Sequence, residues 1–256
     1  VVHAPDSLGR TLAAAIRMGR GGLTLFPTID TRGPAERTVM PAALTAIATF
    51  VAPGPLARRA GSPVAIAAGG YMLIAREVYE AVGGHAAIRG RMVDDVWLAA
   101  RIKRAGALLV PVPAGRLARL RMYHGGREVW EGWSKNAVVS FRGKPGMIAI
   151  ACIAILSVTL LPFVLLRWNS RAWQVAEQSG AAEDRATALW VSVITAWNLA
   201  LPFAYRRAVD RVMGLPAAWT LTQPVGTAAM LGILLSSLVR LVSGKGVTWK
   251  GRTYSG

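Results

Sequence analysis

The spacing of apolar and polar positions changes character near residue 145. Before it, short apolar runs alternate with polar segments punctuated by Gly and Pro. Pro5-Asp6-Ser7 can cap a helix in which Leu8, Leu12, Ala15 and Ile16 share the core-facing side and which stops at Gly19. "GLTLFPTI" reads as a buried strand, and Gly33-Pro34 opens a second helix running through Met40. The run "VMPAALTAIATFVAPGPL" is apolar but broken by prolines. It reads either as a core helix or as one in the bilayer interface with Arg58 and Arg59 near headgroups. "SPVAIAAGGYMLIA" is β-like and Gly-interrupted, "REVYEAVGG" is a short helix ending at Gly83, and "ALLVPVP" is another strand. Helices alternating with buried strands predict an α/β layer structure over residues 1–145.

After residue 145 the pattern is that of a membrane protein. Met147 to Leu166, Ala186 to Tyr205 and Val212 to Val239 carry no charge, and each reaches the roughly 20 residues a helix needs to cross hydrocarbon. Just ahead of them, "GGREVWEGWSKNAVV" puts Trp130, Trp133 and Ala137 on one helical face and Glu131 and Lys135 one turn apart on another. Tryptophan there suits the bilayer interface. The organisation expected is a domain over 1–145 ending in that interface helix, a helical transmembrane region over 146–243 and a basic tail over 244–256.

The 30 Lys and Arg against 13 Asp and Glu, a net charge of +17, are shared by both parts of the chain. Beside membrane spans this points to anionic headgroups and phosphate-bearing substrates. No aromatic-interleaved basic motif or zinc-finger spacing supports a nucleic-acid partner. Cys152 is the only cysteine, and His3, His85 and His124 lie far apart, so neither a disulfide framework nor a metal motif is visible. A transporter lacks support, because the uncharged runs hold no Asp, Glu, Lys, Arg or His to line a pathway.

Against this basic background, "MVDDVWLAARIKRAG" sets Asp94 and Asp95 side by side. Either acid suits a helix N-cap, Lys103 and Arg104 suit the C-terminal end, Gly106 suits the C′ position, and Leu98, Ile102 and Ala105 would face a core. One acid suffices for capping, however, and two adjacent acids repel in a low-dielectric site. An Asp at a helix N-terminus is also well placed to act as a base. From the residues alone both readings stand.

"AAGGYMLIAREVYEAVGGHAAIRGRMVDDVWLAARIKRAG", then "RMYHGGREVWEGWSKN", three apolar stretches and a closing "VTWKGRTY", resembles the membrane-bound family 2 glycosyltransferases, especially the bacterial carotenoid- and hopanoid-associated group. The resemblance implies the C-terminal part of a GT-A nucleotide-diphospho-sugar transferase domain, of α/β class, followed by a helical transmembrane region. It places the catalytic base at Asp95, with Asp94 supporting the base or touching the acceptor. Gly69 and Gly70 match the small-residue loop beside the sugar, whose bland reading is a tight turn or bulge. Arg121, Tyr123, Arg127 and Trp130 fall where relatives bring basic and aromatic groups over the diphosphate, and they read equally well as a basic amphipathic segment on headgroups.

The implied partners are a nucleotide-diphospho-sugar donor, a lipid or isoprenoid acceptor and membrane lipids. "REVWEGW" departs from the Gln-x-x-Arg-Trp of processive synthases, which implies single sugar transfer. The Asp-x-Asp that would hold Mg2+ or Mn2+ is absent, and "VVHAPDSL" looks like the segment just after it. The metal ligands are therefore expected upstream of an N-terminally truncated chain, which alone would be inactive. The expected location is the bacterial inner membrane, multi-pass, with the catalytic domain cytoplasmic. Three simple spans would then put Arg240, Lys245, Lys250 and Arg252 outside, against the positive-inside rule. An interfacial or re-entrant piece in the third run, broken by Pro216 and Pro224, would return the tail to the cytosol. The rival function is a non-catalytic membrane module binding anionic lipid or a partner subunit.

Overall fold

In a computed structural model, the structure describes residues 1–51, 54–91, 93–141, 143–249 and 252–254, with backbone alone at 47–51, 54, 139, 247–249 and 252–254. Lys250 lies outside the described residues. In chain order the elements are β1 (Val2–His3), α1 (Ser7–Met18), β2 (Gly21–Phe26), β3 (Thr28–Ile29), α2 (Pro34–Val51), α3 (Gly54–Ala57), β4 (Met72–Ile74), α4 (Arg76–Ala81), a 3-10 turn at His85–Ile88, α5 (Asp94–Arg104), β5 (Leu108–Pro113) and β6 (Ala118–Leu120). Then follow α6 (Gly125–Ser140), α7 (Pro145–Ser179), α8 (Ala182–Val212), a 3-10 turn at Ala217–Thr222, α9 (Gln223–Val242), β7 (Val247–Trp249) and β8 (Arg252–Tyr254). The described chain is mostly helical with small mixed sheets, and it divides into two compact units.

The first unit comprises residues 1–32 and 46–124. Its main sheet runs β4-β2-β5, with β2 antiparallel to β4 and parallel to β5; a second sheet runs β1-β6-β3. Alternation along β2 and β5 sends Leu23, Leu25, Leu108 and Val110 to one face, where Ala14 and Ala15 of α1 join them. On the opposite face Leu109 packs with Ala99 of α5, while Leu98 and Ile102 pack with Val82 and Ile88 and touch Met72 and Ile74 of β4. Arg119 on β6 holds Asp30 through both carboxylate oxygens, its closest contact being 2.6 Å.

Helix α1 lies on the sheet by a different face from the one its apolar spacing predicts. Leu8, Leu12 and Ile16 are exposed, and Ser7 and Thr11 are buried with the two alanines. Burial of Thr11 is offset by hydrogen bonds, because its hydroxyl donates to Ser7 O at 2.7 Å and meets Tyr71 Oη at 2.5 Å. Arg58 donates to Pro111 O at 2.9 Å, so its guanidinium is engaged by this unit's own strand.

The second unit comprises residues 33–45 and 125–256. Pro34 begins α2 at the position where its missing N–H costs nothing, and Glu36 accepts from Gly125 N at 2.9 Å, tying the start of α2 to that of α6. Trp133, buried, donates its indole N–H toward Met40 Sδ at 3.3 Å. Helices α7 and α8 form an antiparallel hairpin that turns at Gly180, which is left-handed at φ 65°. Polar contacts fix its register: Thr195 to Leu165 O, and Ser192 to Asn169 Oδ1 at 2.7 Å. α7, α8 and the stretch Ala217–Val242 are long and apolar enough to cross a membrane.

At the end of α8, Arg206 and Asp210 are both 0 % exposed and paired at 2.8 Å. Arg206 also donates to the carbonyls of Thr38, Arg37 and Trp219 and to the side chains of Thr222 and Gln223, and Thr220 donates to Asp210. A buried guanidinium satisfied at each nitrogen welds α2, α8, the 3-10 turn and the start of α9 together.

Candidate active site

Helix α5 begins at Asp94, and the residue ahead of it, Val93, is left-handed at φ 58° and ψ 52°. Among the described residues Val93 is the one non-glycine with positive φ. For a β-branched side chain that conformation is strained, by about 1–2 kcal/mol. The N-cap is thus Val93, and the two acids occupy the first helical positions. Asp94 Oδ1 accepts from Asp95 N at 3.1 Å and Asp95 Oδ1 from Val96 N at 2.8 Å, so each gives one oxygen to an N–H of the first turn.

The second oxygen of Asp95 is engaged elsewhere. Gly69 N donates to Asp95 Oδ2 at 2.7 Å across 26 residues of sequence. A Cβ on Gly69 would sit 3.3 Å from that oxygen, so the close approach uses the absence of a side chain. The sequence thus pointed to two residues that the fold joins directly. Gly70 belongs to the same turn: its carbonyl faces His3 Nε2 at 3.3 Å, and an added Cβ would meet Val1 at 3.2 Å.

Thr24, which the sequence pattern does not single out, builds this turn. Its side chain, 0 % exposed on β2, accepts from Ala68 N at 3.0 Å and lies 3.2 and 3.1 Å from the carbonyls of Ala68 and Tyr71, to one of which its proton goes. The signal available was a lone hydroxyl in the apolar strand "GLTLF". Tyr71 closes the turn with Thr11 and stands edge-on to His3, with ring centroids 5.1 Å apart.

Burial pushes the Asp95 carboxyl above its ordinary value of 3.8, opposed by the N–H donors of Gly69 and Val96 and reinforced by the neighbouring charge of Asp94. Asp94 is exposed. One turn on, Arg91 lies over the Trp97 ring at 4.7 Å, both exposed, adding a cation–π pair that the sequence pattern does not reveal.

Of the other candidates, Tyr123 is buried and Arg121 half-buried in the segment after β6 of the same unit. Arg127 and Trp130 belong to the second unit. Arg127 is exposed on α6 and pairs with Glu131 at 2.9 Å, and that carboxylate raises its pKa. Trp130 is half-exposed and rests on Gly232 of α9, where a Cβ would approach its ring to 3.0 Å. Among the described residues no group of three His, Cys, Asp or Glu could hold a metal ion, so no chemical step is routed through one.

The chain matches no protein-family model, no curated protein and no solved structure. The site therefore rests on its own geometry: an acid of raised pKa at a strained helix start, one oxygen fixed by a glycine N–H and unused lone pairs left on both oxygens.

Proposed function

We propose that the protein is an inverting glycosyltransferase that moves one sugar from a nucleotide-diphospho-sugar to a lipid-like acceptor at the cytoplasmic membrane face, with Asp95 as general base. The assignment of residues 1–145 to part of a GT-A domain comes from the same resemblance. In the reaction the acceptor O–H gives its proton to an Asp95 oxygen while the acceptor oxygen bonds the anomeric carbon. The bond from that carbon to the diphosphate breaks on the opposite face, and its electron pair leaves with the nucleoside diphosphate.

The observation that carries this reading is the second Asp95 oxygen on Gly69 N, because capping α5 does not require a contact 26 residues away in the chain. A carboxyl with a raised pKa is also a stronger base once ionised. Three helices long and apolar enough to cross a membrane suit a chain whose acceptor is bilayer-borne.

The first-turn contacts of both acids favour a second reading, a non-catalytic membrane module in which Asp94 and Asp95 only cap. The product of the whole open reading frame, in lipid with Mg2+ or Mn2+, is assayed for nucleoside diphosphate release from a panel of nucleotide sugars, with and without Asp95→Asn. Loss of release with donor binding retained supports the base; equal release in both proteins, or none in either, leaves the module.

A further inference from the structure

Three helices have the length and apolarity to cross a bilayer, yet they do not pack as three parallel spans. The hairpin register is antiparallel, with Leu165 opposite Thr195 and Asn169 opposite Ser192. Carried forward, it puts Arg206 and Asp210 of α8 level with the first turns of α7. The start of α9 is fixed there, since Gln223 contacts Arg206 and a Cβ on Gly226 would fall 2.8 Å from Thr38 O of α2.

The far half of α9 is at the same end. Leu231, Leu234 and Leu238 pack with Ala137 of α6 and with Ile148 and Cys152 of α7, and Ser237 Oγ lies 3.3 Å from Ser134 O. A 20-residue helix is about 30 Å long, so an α9 antiparallel to α8 would end beside the hairpin tip. Beyond Ile155, however, the α7 residues that are buried or half-buried form the single stripe of Pro162, Leu165, Asn169, Ala172 and Ala176, and Leu165 and Asn169 of that stripe, with Trp173 beside it, meet α8. A third span alongside would bury a second stripe.

The outer face of α9 completes the picture. Val225, Leu235, Val239 and Val242 share one side of the helix and are all exposed, Val225 at 64 % and Val239 at 65 %, with exposed Leu221 in the 3-10 turn before them and Arg240 and Lys245 at the C-terminal end. An apolar stripe outside a helix whose other face is packed, closed by cations, matches a leaflet's acyl and anionic headgroup layers. At the opposite end, exposed Trp168, Trp173 and Trp190 gather near the hairpin tip, where a second interface belt belongs.

We propose that α7 and α8 alone cross the bilayer, and that α9 lies in the leaflet beside α6 with its outer stripe among acyl chains. The tail with Arg240 and Lys245 then emerges on the side of residues 125–144. This placement does not depend on the sugar-transfer reading.

In a Cys152→Ala background, Arg211→Cys, Lys245→Cys and Gln178→Cys are labelled with a membrane-impermeant maleimide in right-side-out and inverted vesicles. The first two are expected to react from one face and Gln178→Cys from the other; Lys245→Cys reacting with Gln178→Cys overturns the proposal. Protease protection of a C-terminal tag on the unsubstituted chain distinguishes the same two topologies if Cys152→Ala perturbs packing. A depth measurement completes the test. Fluorophores at Val225, Leu235 and Val239, in phosphatidylglycerol-containing vesicles with brominated acyl chains, should be quenched at one shallow depth and Phe163→Cys at a deeper one. Quenching of Leu235→Cys as deep as that of Phe163→Cys contradicts an interfacial helix.

Discussion

Replacing Thr24 by valine tests whether the strand hydroxyl holds the turn that presents Gly69 to Asp95. Valine keeps the buried volume, so the perturbation is confined to hydrogen bonding. It removes the acceptor of Ala68 N and the donor shared by the carbonyls of Ala68 and Tyr71. A buried N–H left without an acceptor costs about 1–3 kcal/mol, and the denaturation free energy should fall by that amount. Thr24→Ser keeps the hydroxyl and loses one methyl, worth about 1 kcal/mol, so stability alone does not separate the two variants. Amide exchange does. If the 2.7 Å bond from Gly69 N to Asp95 depends on the turn, exchange in peptides covering 66–71 should rise about 5- to 150-fold in Thr24→Val, the factor that 1–3 kcal/mol represents, and stay near the parent rate in Thr24→Ser. Equal exchange in the two variants, or none gained in valine, refutes the assignment of Thr24 to the turn.

Four further outcomes are expected. The native state holds the Asp95 proton more tightly than the unfolded chain, so this group's contribution to stability is complete below 3.8 and is lost as pH rises through the higher folded value; denaturation across that window should show the fall in the parent and its absence in Asp95→Asn. Val93→Gly relieves left-handed strain of about 1–2 kcal/mol at a backbone-entropy cost of about 0.5–1, so denaturation should show a gain of up to about 1.5 kcal/mol. Gly226→Ala drives a Cβ to 2.7 Å from Ala42 Cβ and 2.8 Å from Thr38 O, and it should destabilise the protein in thermal unfolding by about 1–3 kcal/mol. Arg206→Leu strands Asp210 at zero exposure and should cost about 3–5 kcal/mol, whereas Arg206→Leu with Asp210→Leu should cost less, as compared by denaturation in one detergent.

Helix α1 shows which part of the fold was legible in the sequence and which was not. Its ends were, because Asp6 at the N-cap and left-handed Gly19 at the C-terminus are local start and stop signals. Its buried face was legible only in part: of Leu8, Leu12, Ala15 and Ile16, which apolar spacing chose, Ala15 alone packs on the sheet, and Thr11 turns inward where Tyr71, 60 residues away, supplies a hydrogen bond. The apolar character of α7 and α8 was legible for the opposite reason, since an uncharged run of about 20 residues is a local signal that needs no distant partner. The third run has a mean hydropathy between those of α7 and α8, and Gly226, Gly232 and Ser237 let α9 lie against α2 and α6. Small residues record close packing without naming the partner.

The acid pair was legible as chemistry and illegible as geometry. Two adjacent carboxylates in a basic chain drew attention to Asp94 and Asp95, and their letters fit capping and catalysis alike. What separates them is which N–H groups each oxygen meets, and that depends on two segments distant in sequence and on the residue just before the pair. Strand β2 supplies Thr24, the turn after Ala68 supplies the Gly69 N–H, and the left-handed Val93 sets the direction in which α5 starts. Asp94 spends one oxygen on the first turn and remains exposed, as a cap would. Asp95 spends one oxygen there and the other on Gly69, in surroundings buried enough to raise its pKa against two N–H donors that lower it. A charge that only capped the helix would gain nothing from that burial. The desolvation cost at Asp95 is therefore the physical reason to expect the two neighbours to behave differently when each is replaced by its amide.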